Sequence, residues 1–295
     1  MRVGLTGVGR WGRHILRDLV SLGCEVHAVA RSPESTERAT AGGAQSVVPS
    51  LDTMPEVDGL VVATPASTHA DVVARALDLG VPVFVEKPLT VDPQSAEALA
   101  ERAPGRLFVM DKWRYHPGVE RIAAMARSGE HGPVERIRSW RLSKAVDHDD
   151  VDSVWIMLPH DLSIIQEIAG ALPGALSAEG ARGVGQEARL TGRLGPEPEC
   201  LVEVSGMSPI RQRRLEVRYA DAEVLLDGAY ARALRLRRRG AAGAEELPLP
   251  DDPPLLAELT VFVEHLRGGP PPRSSASDGA STVRRIHELR RLAGI

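Results

Sequence analysis

The sequence predicts an α/β fold that opens on a doubly wound parallel sheet, and three observations carry that expectation. A glycine loop, Gly7-Val8-Gly9-Arg10-Trp11-Gly12, stands between a short apolar strand and a stretch of helical periodicity. Two continuous apolar runs, residues 59–63 and 81–85, have the composition of strands buried on both faces. Helix-like stretches separate these runs, so strands and helices alternate as a parallel sheet with right-handed crossovers requires.

Each element follows from local pattern. Val3 and Leu5 centre the first strand, and Ile15, Leu16, Leu19, Val20 and Leu22 give the helix after the loop one apolar face. Gly23 ends that helix, and residues 25–30 (Glu-Val-His-Ala-Val-Ala) form the second strand. Residues 67–79 and 93–102 read as helices. The texture changes around residues 110–117. Beyond it come a helix (118–127), a strand (134–142), an aspartate-rich loop (147–152), and an apolar helix (161–168) that follows His160. From Ala188 the chain alternates like an antiparallel meander over 188–194, 201–205, 214–219, 223–226 and 233–237. Residues 255–266 read as the last helix of a second domain, 268–277 as a proline-rich linker, and 282–292 as a C-terminal helix. A chain of 295 residues suits two domains, expected at 1–112 and 113–279, with the segment 280–295 packing back on the first.

Composition narrows the function classes. A formal charge of −4 with 43% hydrophobic and 26% charged residues is ordinary for a globular protein and argues against nucleic acid as the main partner. Cys24 and Cys200 fit no metal-ligand spacing and form no disulfide framework, so two reduced thiols in a cytoplasm are expected and no bound metal. No apolar run approaches the roughly 18 residues of a membrane span, and residues 1–9 read as a strand entering a loop, not as a signal peptide.

The glycine loop carries the first chemical expectation. A lone GxGxxG is weak, but here it follows a strand and opens a helix inside a βαβ unit, the context in which such a loop binds a dinucleotide. Gly7, Gly9 and Gly12 permit a tight turn and a close backbone approach, and pyrophosphate rests on the helix N-terminus. Dinucleotide sites that take NAD place Asp or Glu after the second strand to bind the ribose 2′-hydroxyl. Arg31 and Ser32 stand there instead, a guanidinium and a hydroxyl that suit a 2′-phosphate. The expected cofactor is therefore NADP(H), with NAD(H) the alternative and a solvated Arg31 the bland reading. Glu86-Lys87-Pro88 falls at the carboxyl end of a buried strand, where open α/β sheets bind ligands.

With Ala63-Thr64-Pro65-Ala66-Ser67-Thr68-His69, Arg114-Tyr115-His116-Pro117 and Pro159-His160-Asp161-Leu162, this ordered set resembles the Gfo/Idh/MocA family of dehydrogenases and reductases. The segments 208–214 and 226–228 are similar to its second-domain sheet. The resemblance implies a Rossmann domain followed by an α+β domain on a large, mostly antiparallel sheet, through which homo-oligomers form. It implies hydride transfer to or from a sugar, nucleotide-linked sugar or cyclitol, with Lys87 and His160 as the acid–base groups. Expected cofactor contacts are Gly7, Gly9, Arg10, Trp11, Gly12, Arg31, Ser32, Thr64, Pro65, His69, Glu86 and Lys87. Expected substrate contacts are Lys87, Arg114, Tyr115, His160 and Asp161.

The physical logic of Lys87 stands beside the resemblance. Moving a hydride from a carbinol carbon requires moving a proton from its oxygen. A desolvated lysine near a cationic nicotinamide gives up its own proton readily and can accept that one; in reduction its ammonium stabilises the developing alkoxide. His160 titrates near neutrality and can share the role, although a lone His before a helix is more often a cap or core group. One position departs from the family: many members carry an aspartate one helical turn before the histidine, where this chain has Ile156. Asp152 is a candidate substitute. Two alternatives follow from Ile156, reduction of a C=N or conjugated C=C bond, or a dinucleotide-binding sensor without turnover. Trp11, Trp113 and Tyr115 either border the ligands or pack in the core, and the arginines at 211–214 and 235–239 read as a solvated strand face or a substrate-phosphate contact.

Overall fold

The computed structural model describes residues 1–144 and 149–295, in two compact units. The first comprises Met1–Lys112 with Leu255–Val283, the second Trp113–Pro254 with Arg284–Ile295.

In the first unit β1 (Arg2–Thr6), α1 (Gly12–Ser21), β2 (Glu25–Val29), α2 (Pro33–Ala41), β3 (Ser46–Val48), β4 (Gly59–Val62), α3 (His69–Asp78), β5 (Val83–Glu86), α4 (Pro93–Arg102) and β6 (Leu107–Met110) alternate along the chain. The six strands are parallel, in the order β3-β2-β1-β4-β5-β6. The order reverses between β1 and β4, which opens a crevice beyond their carboxyl ends. β4, β5 and β6 are buried along their whole length, as their apolar runs require, and at the end of β5 the burial extends to Glu86. The polar helix α2 was not legible from periodicity; it is held by a capping box in which Ser32 and Ser35 serve each other's backbone N–H.

In the second unit α5 (Pro117–Ser128), β7 (Val134–Lys144), α6 (Ser153–Ala169), β8 (Ala175–Arg182), β9 (Ala188–Leu194), β10 (Glu199–Ser205), β11 (Met207–Tyr219), β12 (Ala222–Asp227), β13 (Ala233–Arg238) and β14 (Glu245–Pro248) build an eight-stranded sheet, ordered β14-β13-β12-β11-β7-β10-β9-β8, with α6 packed on it. It is not a simple meander. β10 inserts beside β7 and runs parallel to it, and every other neighbouring pair is antiparallel. β8 escaped sequence reading because its residues do not alternate in burial.

Three expectations change. The helix over 255–266, α7 (Pro254–Leu266), joins the core of the first unit and not the second: Leu255, Leu259, Phe262 and Val263 pack with Val61, Phe84 and Phe108, and the rings of Phe84 and Phe262 lie 4.9 Å apart. The C-terminal helix, α8 (Ala276–Ala293), divides between the units instead of returning whole to the first. Gly279 faces Val109 and Leu89 in the first unit, whereas Arg290 binds Asp152 in the second. His160 lies inside a helix, not before one, because α6 runs through Pro159.

Part of the aspartate-rich loop, Asp147 with His148, lies outside the described residues. Both cysteines are buried free thiols. Among the described residues no helix is long and apolar enough to cross a membrane, and no cluster of His, Cys, Asp or Glu has the makings of a metal site.

Candidate active site

The glycine loop owes its shape to two different constraints. Gly7 has φ +95, and a Cβ there would lie 2.4 Å from the Ala63 carbonyl oxygen. A Cβ on Gly12 would fall 1.9 Å from the Gly7 oxygen, so both positions are dictated by the fold. Gly9 differs: nothing lies within 4 Å of a Cβ there. The space it leaves faces the N-terminus of α1, whose N-cap Trp11 makes no side-chain cap. The N–H groups of Arg13 and His14 are turned inward to the Gly9 and Trp11 carbonyls, at 3.1 and 2.9 Å, and the positive helix end behind a loop with room for a ligand fits a dinucleotide pyrophosphate.

Trp11 joins this loop to β5. Its indole N–H donates to Glu86 Oε1, and Glu86 Oε2 accepts from the backbone N–H of Lys87 at 3.1 Å. The Lys112 ammonium lies 4.1 Å from the centre of the Trp11 ring. Glu86 is buried while Trp11 is 37% exposed, so the carboxylate is a fixed base on which the indole rests. Lys87, half-buried, follows at the carboxyl end of the strand. Glycine loop, Trp11, Glu86, Lys87 and Lys112 thus form one cluster within the first unit.

His69 is only 1% exposed, with Nδ1 2.7 Å from the Pro88 oxygen and Nε2 2.9 Å from the Thr64 oxygen. Burial lowers its pKa, and the two carbonyls act in the opposite sense. Its place is that of a tie between the β4 and β5 loops, not of a surface facing a ligand. Thr64 also accepts from the Thr68 hydroxyl at 2.9 Å, and Pro65 follows on the same loop.

Arg10 and Arg31 are exposed, and Ser32 spends its hydroxyl capping α2 by accepting from the Ser35 N–H at 3.2 Å. Arg38 escaped sequence reading because α2 did. Its Nε donates to the Val8 carbonyl at 2.9 Å, which brings a second guanidinium to the glycine loop. Glu34, fully exposed in the first turn of α2, is held below the ordinary carboxyl value chiefly by the Ser32 hydroxyl.

In the second unit the anticipated substrate groups do not all present free faces. Arg114 Nε donates to Glu167 at 2.8 Å, and Tyr115 is buried. His116 stacks on Trp113 with ring centres 5.0 Å apart and accepts from the Gly118 N–H as the N-cap of α5. Asp161, 1% exposed, accepts from the Ser139 hydroxyl and pairs with Arg141 at 2.8 Å. Asp152 caps α6 through the N–H groups of Val154 and Trp155 and is clamped by Arg290. Both aspartates are therefore committed to holding α6. His160 is half-buried on that helix, and Ile156 precedes it by one turn on the same face. A cavity lined by Trp113, Ser139, Arg141, Asp161 and Arg213 adjoins these groups. Burial and the neighbouring Arg141 charge bring Arg213 down to about 10.

A sequence model described as the Gfo/Idh/MocA oxidoreductase family with an NAD-binding Rossmann fold matches residues 1–107. The UDP-N-acetylglucosamine 3-dehydrogenase of Acidithiobacillus ferrooxidans is 27% identical over 84% of this chain and 80% of its own. An inositol 2-dehydrogenase of Corynebacterium glutamicum is 27% identical over 58% of this chain and 55% of its own. The solved structure of a levoglucosan dehydrogenase in complex with NADH and levoglucosan shares the fold with a TM-score of 0.88, covering 100% of this chain and 97% of that one at 14% identity. Residues 1–107, with their parallel sheet and glycine loop in place, thus match the NAD-binding Rossmann domain of the Gfo/Idh/MocA oxidoreductases, and the chain as a whole shares the fold of the levoglucosan dehydrogenase.

Proposed function

We propose that the protein is an NADP(H)-dependent oxidoreductase that transfers a hydride to or from a carbonyl or carbinol carbon of a sugar, nucleotide-linked sugar or cyclitol, with Lys87 as the acid–base group. The observation that carries this reading is the cluster in which Trp11 and Glu86 join the pyrophosphate-binding loop to the strand end bearing Lys87. The dehydrogenases of UDP-N-acetylglucosamine and inositol among the relatives support the substrate class.

When bound, the nicotinamide supplies or accepts the hydride. The chain's own residues do the rest. Gly9 leaves the space and α1 the positive helix end for the pyrophosphate, while the Trp11–Glu86 contact keeps the loop in register with β5. In oxidation the Lys87 amine takes the proton of the carbinol oxygen; in reduction its ammonium returns it. His160 binds the substrate or shares the proton. Arg31, with no acid directly after β2 and with Arg38 beside the loop, favours a 2′-phosphate.

A second reading, reduction of a C=N or conjugated C=C bond, is favoured by Ile156 and by the commitment of Asp152 and Asp161 to other partners. The test is the absorbance of reduced nicotinamide with NADP⁺ or NAD⁺ over a panel of polyols, cyclitols and UDP-linked sugars, and with NADPH over ketones and imines. Turnover of a polyol or sugar supports the first reading; turnover of imines alone supports the second.

A further inference from the structure

Glu258 lies on α7, in the stretch whose apolar neighbours Leu255, Leu259 and Phe262 enter the core of the first unit. It is 0% exposed, and neither carboxyl oxygen meets a hydrogen-bond partner among the described residues. An ionised carboxylate in such a place is held at a prohibitive desolvation cost, so a group there keeps its proton. The charged groups facing it are Glu86 from β5 and Lys112 and Asp111 from the segment that follows β6. Burial pushes its pKa well above the ordinary carboxyl value, Glu86 and Asp111 add to that as like charges, and Lys112 opposes them. Glu86 is the same carboxylate that accepts from Trp11 and from the Lys87 N–H.

We propose that Glu258 is a positioning residue for the cofactor edge: it stands in the folded protein as a neutral carboxylic acid, and by keeping that proton it spares Glu86, which fixes Trp11 and the glycine loop, a second buried negative charge. Two neighbouring buried carboxyl groups do not both ionise without a cost. When alkali removes the Glu258 proton, Glu86 meets a second negative charge, its hold on the loop weakens, and dinucleotide affinity declines. The proton goes to solvent. The affinity arm of this proposal rests on the dinucleotide reading above; the protonation arm does not.

Infrared spectroscopy of the full chain at about pH 8, well above the ordinary carboxyl range, tests the protonation directly. A protonated-carboxyl C=O band is expected in the wild type and absent in Glu258→Gln. Fluorescence titration with NADPH and NADH from neutral to alkaline pH tests the positioning role. Wild-type affinity is expected to fall by up to about tenfold per pH unit once Glu258 ionises, the limit for one linked proton. Glu258→Gln, fixed in the neutral state, is expected to bind at neutral pH like the wild type and to lack that decline; Glu258→Met serves if the amide disturbs folding. Absence of the band overturns the neutral acid. Parallel affinity profiles in wild type and variant overturn the link to Glu86. A protein that binds neither dinucleotide at any pH contradicts the cofactor reading and the positioning role with it, while the band still reports on the proton.

Discussion

The indole N–H of Trp11 donates to the carboxylate of Glu86, so a residue of the glycine loop is anchored on the strand end that carries Lys87. A hydrogen bond to a charged, buried acceptor contributes about 1.5–3 kcal/mol. Trp11→Phe keeps the ring and removes only the donor. Dinucleotide affinity should weaken about tenfold or more through the freed loop, measured by fluorescence titration. An unchanged dissociation constant would show that the loop holds its shape without the anchor.

Two glycines of the same loop should part company. Gly12→Ala drives a Cβ into the Gly7 carbonyl oxygen and should lower the melting temperature. Gly9→Ala meets no protein atom, so its melting temperature should match the wild type while NADPH affinity falls, because only a ligand would occupy that space. Equal losses of stability in both variants would contradict the pyrophosphate assignment.

Arg31→Asp places an acid where a ribose 2′-hydroxyl would bind and a 2′-phosphate would be repelled. The ratio of NADPH to NADH affinity should fall by about tenfold to a hundredfold, the range of one charge-assisted contact at 1.5–3 kcal/mol. Comparable affinities for the two cofactors in the wild type, unmoved by the substitution, would remove the NADP preference.

Arg290 binds Asp152 through both terminal nitrogens of its guanidinium, Nη1 and Nη2, at 2.9 and 2.8 Å, and stands 5.5 Å from the Trp155 ring centre. The pair is buried, and Asp152 also caps α6, the helix of His160. Arg290→Met strands that carboxylate and should cost about 3–5 kcal/mol in chemical denaturation. A loss below about 1 kcal/mol would mark the pair as a surface contact in effect.

Much of the first unit was legible because its signals are local. The Gly7 to Gly12 loop, the apolar runs of β4 and β5, and the position of Lys87 need only neighbours in sequence to be read. The misses have equally physical causes. α2 hides its helix in the polar stretch Pro-Glu-Ser-Thr-Glu-Arg-Ala-Thr-Ala, where capping rather than an apolar stripe marks the start. Pro159 masked the first half of α6, which Asp152 and burial carry through the break. α7 is legible as a helix, but nothing in its own pattern says which core its face enters; that is decided by Phe84 and Phe108, far away in sequence. The insertion of β10 beside β7 is likewise a long-range pairing that alternation cannot reveal. The commitment of Arg114 to Glu167 and of Asp161 to Arg141 required partners that sequence spacing does not identify.

The central claim is that Lys87 moves the proton that accompanies hydride transfer, and the most direct measurement is single-turnover hydride transfer in Lys87→Met with the best substrate and cofactor found for the wild type. Loss of a positioned acid–base group should slow that step by about 10²–10⁴-fold at saturating NADPH. A Lys87→Met protein that transfers hydride at the wild-type rate would contradict the account.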